Sequence, residues 1–76
     1  MVSANSQPYN LSEEIAAQVR PMYKRLLKRG VNADLAYSEA YERIVELIAQ
    51  AQDTTVDKVR FSSRDILQYT MKLVTL

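Results

Sequence analysis

The fold is decided by residues 33–52, ADLAYSEAYERIVELIAQAQ. Apolar residues recur at three- and four-residue steps and fill one broad half of a helical wheel. These are Ala33, Ala36, Tyr37, Ala40, Tyr41, Ile44, Leu47, Ile48 and Ala51. The opposite half carries Glu39, Glu42 and Glu46. The pattern predicts an amphipathic helix, and Asn32 or Asp34 is the expected cap at its start.

The preceding segment is expected to form a second amphipathic helix over residues 12–29. Ser12 and the two glutamates that follow it are typical of a helix start. Gly30 is well placed to end this helix in the left-handed conformation. Pro21 lies inside the pattern, where it lacks a backbone donor and disfavours helical geometry in the residue before it. We therefore expect the helix to be kinked or broken there.

The last helix is predicted over residues 63–75. Ser62 and Asp65 form an acidic variant of the capping box, and Phe61 and Ile66 occupy the two positions of a hydrophobic staple. The helix is apolar over much of its circumference, and its polar strip is narrow. That strip consists of Gln68, Lys72 and Thr75. Such a helix is either central to the core or covered by another chain.

These elements predict an all-α fold, a small three-helix bundle. One extra short turn, with Thr54 near its start and Val59 at its end, is expected before the last helix. Residues 1–10 are expected to be a flexible N-terminal tail, because they are mostly small and polar. Residues 11–76 are expected to form a single helical domain.

Composition restricts the function more than it defines it. The chain has 76 residues, of which 47% are hydrophobic and 25% charged, as is typical of a globular protein. It contains neither cysteine nor histidine, so the usual metal ligands, nucleophile and general base near neutral pH are missing. We expect no enzyme, no cofactor and no metal site. No signal peptide or membrane span is recognisable, so a cytoplasmic protein is expected.

The charged residues are separated along the chain, although the net charge is only +1. Half of the ten basic residues lie in one segment without acids. These five, Arg20, Lys24, Arg25, Lys28 and Arg29, are the candidates for contacting phosphates of a nucleic acid. The alternative is a solvated face whose cations complement the negative end of the helix dipole. Residues 34–57 carry six acids and only Arg43 as counter-charge, which we interpret as a solvated face rather than a metal site.

The candidate partner or dimer interface combines two tyrosines of the central helix with apolar residues of the last one. It comprises Tyr37, Tyr41, Tyr69, Leu73 and Leu76. Tyrosine is enriched at interfaces, and small domains often gain stability by oligomerising. The sequence thus indicates a non-enzymatic helical interaction module, a regulator or adaptor that acts through protein–protein contacts and self-association as a homodimer. The alternative is a nucleic-acid-binding regulator that uses the basic face of the first helix.

Two short resemblances accompany this interpretation. LKRGVNADL over residues 27–35 and RFSSRDIL over residues 60–67 resemble the first loop and the start of the last helix in histone-fold proteins. In that family, however, the central helix is longer. SSRDILQYTMKL over residues 62–73 resembles the helix after the carrier serine in acyl carrier proteins, but Ser62 stands where that family has aspartate. These departures lead us to assign neither family.

Overall fold

The computed structural model describes residues 8–76, with Pro8 and Tyr9 described by their backbone alone. This part of the chain forms four α-helices and no strand. They are α1 (Pro8–Lys28), α2 (Ala33–Ala51), α3 (Val56–Ser62) and α4 (Arg64–Thr75). The all-α prediction is confirmed for the described residues. The count differs from the expected three helices because the short turn predicted to end at Val59 continues as a helix.

The first helix starts earlier than expected and is not broken. α1 begins at Pro8, a residue that fits the first helical turn because the amide it lacks has no partner there. Ser12 lies inside α1 and is buried, so it does not start the helix. α1 also continues through Pro21, which faces solvent. The predicted tail falls on residues 1–7, which lie outside the described residues, and on residues 8–10, which are helical.

Gly30 ends α1 as predicted. Its φ angle of 87° is in the left-handed region that glycine adopts without a steric penalty. The Gly30 amide donates to the carbonyl of Leu27 at 3.0 Å, and the Val31 amide donates to that of Leu26 at 3.1 Å. This pair of bonds is a Schellman motif, which satisfies the last carbonyls of the helix. The short connection makes α1 and α2 an antiparallel helical hairpin.

The two ends of α2 are closed by side-chain and backbone bonds. The side-chain oxygen of Asn32 accepts hydrogen bonds from the second and third amides of the helix, at 2.8 and 3.4 Å. At the other end Asp53 adopts a φ of 54°, the only positive value outside glycine in the described residues. The Asp53 amide donates to Gln50 at 3.3 Å, and the Thr54 amide donates to Ala49 at 3.0 Å. Asp53 thus occupies the position of a second Schellman motif that usually belongs to glycine.

The junction between α3 and α4 contradicts the predicted capping box. Ser62 is the last residue of α3, and Ser63 stands at the N-cap of α4 without a side-chain capping bond. The chain is already helical before Ser62. α3 begins after Thr55, whose side-chain oxygen caps it by accepting a 3.3 Å bond from the Lys58 amide. Backbone hydrogen bonds of 2.9 Å continue on both sides of Ser63. Phe61 is 85% exposed and therefore forms no hydrophobic staple.

The core is formed where α4 lies against the hairpin. α1 contacts both α2 and α4, and α4 also contacts α2 and α3. The buried cluster consists of Ile15, Ala16, Val19, Ala40, Ile44, Val45, Ile48, Ala49, Val59, Leu67, Met71 and Val74. In α1 the buried side chains all lie at or before Val19, whereas those of α2 extend to Ala49. Burial therefore extends along most of α2, from Ala36 to Ala49, but only along the first part of α1.

Candidate interaction surfaces

Arg20 does not belong to the solvated basic face that the sequence indicated. Its guanidinium donates two hydrogen bonds to the backbone carbonyl of Leu73, from Nε at 3.2 Å and from Nη2 at 2.8 Å. That carbonyl lies in the last turn of α4, where the helix dipole is negative and carbonyls lack helical partners. Arg20 thus closes the end of α4 and ties it to α1. This structural role distinguishes Arg20 from the other four candidate phosphate contacts.

The other four basic residues form an exposed cluster at the end of α1, which we call the basic cluster. It consists of Lys24, Arg25, Lys28 and Arg29. Their side chains make no salt bridge or hydrogen bond within the part of the chain that the structure describes. Pro21 and the first three of them line a shallow surface depression. Four unpaired cations within six residues make the surface at this end of α1 positively charged.

Two of the four acids of α2 are paired with arginines inside the chain. Arg60 of α3 donates two hydrogen bonds to the carboxylate of Glu42, one of them from Nη1 to Oε2 at 2.9 Å. These bonds lower the pKa of Glu42, and the pairing raises the pKa of Arg60. Arg43 pairs with Glu46 at 3.2 Å. The sequence suggested Arg43 as the single counter-charge, but the fold adds Arg60. The basic cluster therefore has no equally large unpaired acidic counterpart on α2.

The predicted interface residues differ in their exposure. Tyr37 is 46% exposed and Leu76 is 84% exposed. Tyr41 and Leu73 are partly buried and pack against the core, and Tyr69 is also partly buried. Three of the five side chains thus already contribute to the fold of a single chain. Much of the apolar circumference of α4 is covered by the other helices.

Sequence reasoning missed three exposed apolar side chains. Leu27 and Leu35 are 39% and 54% exposed, and Phe61 is 85% exposed. Leu35 carried a usable signal, because it lies on the glutamate side of the α2 wheel. Leu27 follows the apolar stripe of α1 and becomes exposed because α4 ends before reaching it. Phe61 was misassigned to the staple.

α1 extends beyond the residue that contacts the end of α4. The contact with Leu73 places the last turn of α4 beside Arg20, whereas α1 continues to Lys28. Those eight further residues correspond to about 12 Å of helix. Leu27 lies seven residues after Arg20 and hence on the same side of α1. Leu27 is 39% exposed in this part of α1.

The described residues show no arrangement typical of a reactive site. Among them, no group of three or more His, Cys, Asp or Glu residues is placed to hold a metal ion. Ser62 lines a shallow depression with Thr54 and Lys58, without a carboxylate in that lining. The pKa shifts of Glu42 and Arg60 arise from their mutual ion pair. In residues 8–76, no helix combines the length and apolarity required to cross a bilayer.

Comparisons with known proteins supply no match, so the interpretation of function rests on these surfaces. No protein-family model, no curated protein and no solved structure matches the chain.

Proposed function

We propose that the chain is a non-enzymatic helical interaction module, a small regulator or adaptor that acts through protein–protein contacts and self-association. The observation that carries the proposal is the exposure of large apolar side chains on a domain whose core is otherwise closed. Leu76 and Tyr37 are 84% and 46% exposed, respectively. Burial of a large apolar side chain contributes about 1.5–3 kcal/mol of favourable free energy, which favours contact with another protein.

Self-association is proposed along one edge of α4. Tyr69, Leu73 and Leu76 follow one another at four- and three-residue steps and so lie on one side of the helix. The first two side chains are partly buried and Leu76 projects beyond them. A two-fold contact would place this edge against its copy, with Leu76 contributing most of the newly buried surface.

The experiment is sedimentation velocity over a range of protein concentrations. We expect a dimer at micromolar concentration for the wild type and a monomer for Leu76→Lys. Phe61→Lys is the matched control, because Phe61 is equally exposed but lies on α3. It should remain dimeric. A wild type that stays monomeric at high concentration would contradict self-association. Leu73→Lys is unsuitable, because Leu73 packs against the core of the single chain.

The second candidate is a nucleic-acid-binding regulator, and the basic cluster supports it. Four exposed cations without partners among residues 8–76 match the requirement for phosphate contacts, and their neutralisation of four phosphates predicts a log–log salt slope of about −3.6. The test is binding of a DNA duplex measured over a salt gradient. Replacing Lys24 and Lys28 with glutamine should reduce the slope by about 1.8. Lys72→Gln, a change of an exposed cation on α4, should leave the slope unchanged.

A further inference from the structure

We infer that the basic cluster contacts the phosphate backbone of duplex DNA at the end of α1 and reads no base sequence. The inference rests on the nucleic-acid candidate above and specifies how that partner is recognised. The cluster occupies residues 24–29, and three of its cations line one depression together with Pro21. Its four charges therefore lie within about 8 Å of helix. Duplex DNA carries one charge per about 1.7 Å of its axis, which is a comparable density.

The fold itself does not account for four cations at this position. The dipole of α1 amounts to about half an elementary charge at its end, which a single cation balances. The last carbonyls of α1 already accept bonds from the backbone amides of the Schellman motif. Two pairs within the cluster are four residues apart, Lys24 with Lys28 and Arg25 with Arg29. Like charges at this spacing repel each other, and phosphates bound beside them would relieve the repulsion.

The charges along α1 determine how the helix meets the DNA. Glu14 is exposed and shares a side of α1 with the cluster, because one row of four- and three-residue steps connects Glu14, Gln18, Pro21, Arg25 and Lys28. A helix laid along the major groove would bring the Glu14 carboxylate against phosphates. Glu14 is about 17 Å from Arg25 along the helix, which exceeds the screening length of about 8 Å at physiological salt. Contact at the end of α1 alone avoids this repulsion, and a helix outside the groove contacts phosphates rather than base edges.

Single strands and membranes fit the cluster less well than a duplex. Proteins that bind single strands stack the bases on aromatic rings. Tyr23 is the one aromatic residue in the segment 20–29, and it packs against the core. Stable attachment to a membrane requires a second signal beside the cations, such as a large apolar face. Among the described residues of α1, Leu27 is the single exposed large apolar side chain.

The test is fluorescence anisotropy of labelled duplexes of about 20 base pairs, roughly two helical turns, titrated with the whole chain. One duplex contains only A·T pairs, one only G·C pairs, and one a mixed sequence. Their affinities should agree within about threefold, and each should fall about 150-fold between 50 and 200 mM salt, as four phosphate contacts require. Arg25→Gln should weaken binding to all three duplexes alike and reduce this fall to about 40-fold. A single strand of the same length should bind more weakly than the duplexes, with a fall of about 50-fold.

Two further variants separate the geometry of the contact from the overall charge. Glu14→Gln should change the affinity by less than about twofold, because DNA at the end of α1 lies beyond the screening length of Glu14. A helix laid along the groove would instead gain about fivefold or more from this loss of a negative charge. Lys72→Gln removes an exposed cation on α4 and should leave the affinity within about twofold of the wild type. Circular dichroism verifies the fold of each variant, and all the substituted side chains are exposed.

The possible failures distinguish this inference from the nucleic-acid candidate on which it rests. A preference of more than about tenfold for one duplex would show that bases are read, and it would overturn the inference alone. Tighter binding by Glu14→Gln, or a single strand that binds as well as the duplexes, would also overturn the inference alone. Absence of binding to every duplex and to the single strand at 50 mM salt would overturn both. Co-sedimentation with vesicles of phosphatidylcholine and phosphatidylserine, without binding to DNA, would assign the cluster to a membrane surface instead.

Discussion

Replacing Asp53 should stabilise the protein, although Asp53 ends α2 in the present fold. Its φ of 54° places an L-residue in the left-handed region, at a cost of about 1 kcal/mol for a residue that tolerates this region, and glycine avoids that cost. Its carboxylate also lies at the negative end of the α2 dipole, which costs about 0.3–1 kcal/mol. Against these gains, glycine loses about 0.5–1 kcal/mol more through unfolded-state entropy. The net expectation for Asp53→Gly is a gain of about 1 kcal/mol, or about 4–8 °C in Tm.

The assay is urea and thermal unfolding followed by circular dichroism, with two asparagine variants that isolate the charge. Asp53→Asn retains a residue that tolerates the left-handed region and should gain about 0.3–1 kcal/mol. Asp34→Asn is the matched control, because Asp34 lies in the first turn of the same helix and favours its positive end. It should lose a similar amount. A decrease in stability for Asp53→Gly, or the same sign for both asparagine variants, would refute this reasoning.

Three further predictions follow from the contacts that hold the helices together. Arg20→Met removes two hydrogen bonds to a carbonyl of α4 and should lower the free energy of unfolding by about 1.5–3 kcal/mol. Arg25→Met should change this free energy by less than about 0.5 kcal/mol. Urea unfolding measures both variants. Thr55→Ala should cost about 1 kcal/mol as the loss of a helix cap, and Ser62→Ala should leave Tm nearly unchanged. Glu42→Gln should lower Tm at neutral pH and lose this effect in acid. The folded-state pKa of Glu42 is below its ordinary value of 4.5, so its contribution is complete above that value and disappears as the pH falls through the lowered pKa. A difference in Tm that grows in acid would contradict this assignment.

The sequence predicted a helix correctly where its apolar periodicity matches the burial seen in the structure. The apolar period of α2 identified its core side, and Ile44 and Ile48 are indeed fully buried. Gly30 and Asn32 act through their own backbone neighbours, so a short window of sequence contains the whole interaction. The all-α class and the turn between the first two helices followed directly.

The wrong assignments have two physical causes. Ser62 fitted a capping pattern, but α3 already runs up to it, and the continuing backbone bonds make a new cap unnecessary. Side-chain contacts between distant segments carried no local signal. Arg20 and the α4 carbonyl that it contacts are 53 residues apart, and Arg60 and Glu42 are 18 apart. Separating structural cations from free ones therefore required the fold.

The dependence of α1 on α4 has a consequence for how the chain folds during synthesis. The hairpin leaves the ribosome first, and its short connection allows α1 and α2 to pair early. Among the described residues α1 contacts α2 and α4 but not α3, so the core around Ile15, Ala16 and Val19 is complete only after α4 emerges. Until then the nascent chain exposes apolar side chains along α1. Conditions that slow translation before α4 should therefore favour aggregation or capture by chaperones over productive folding.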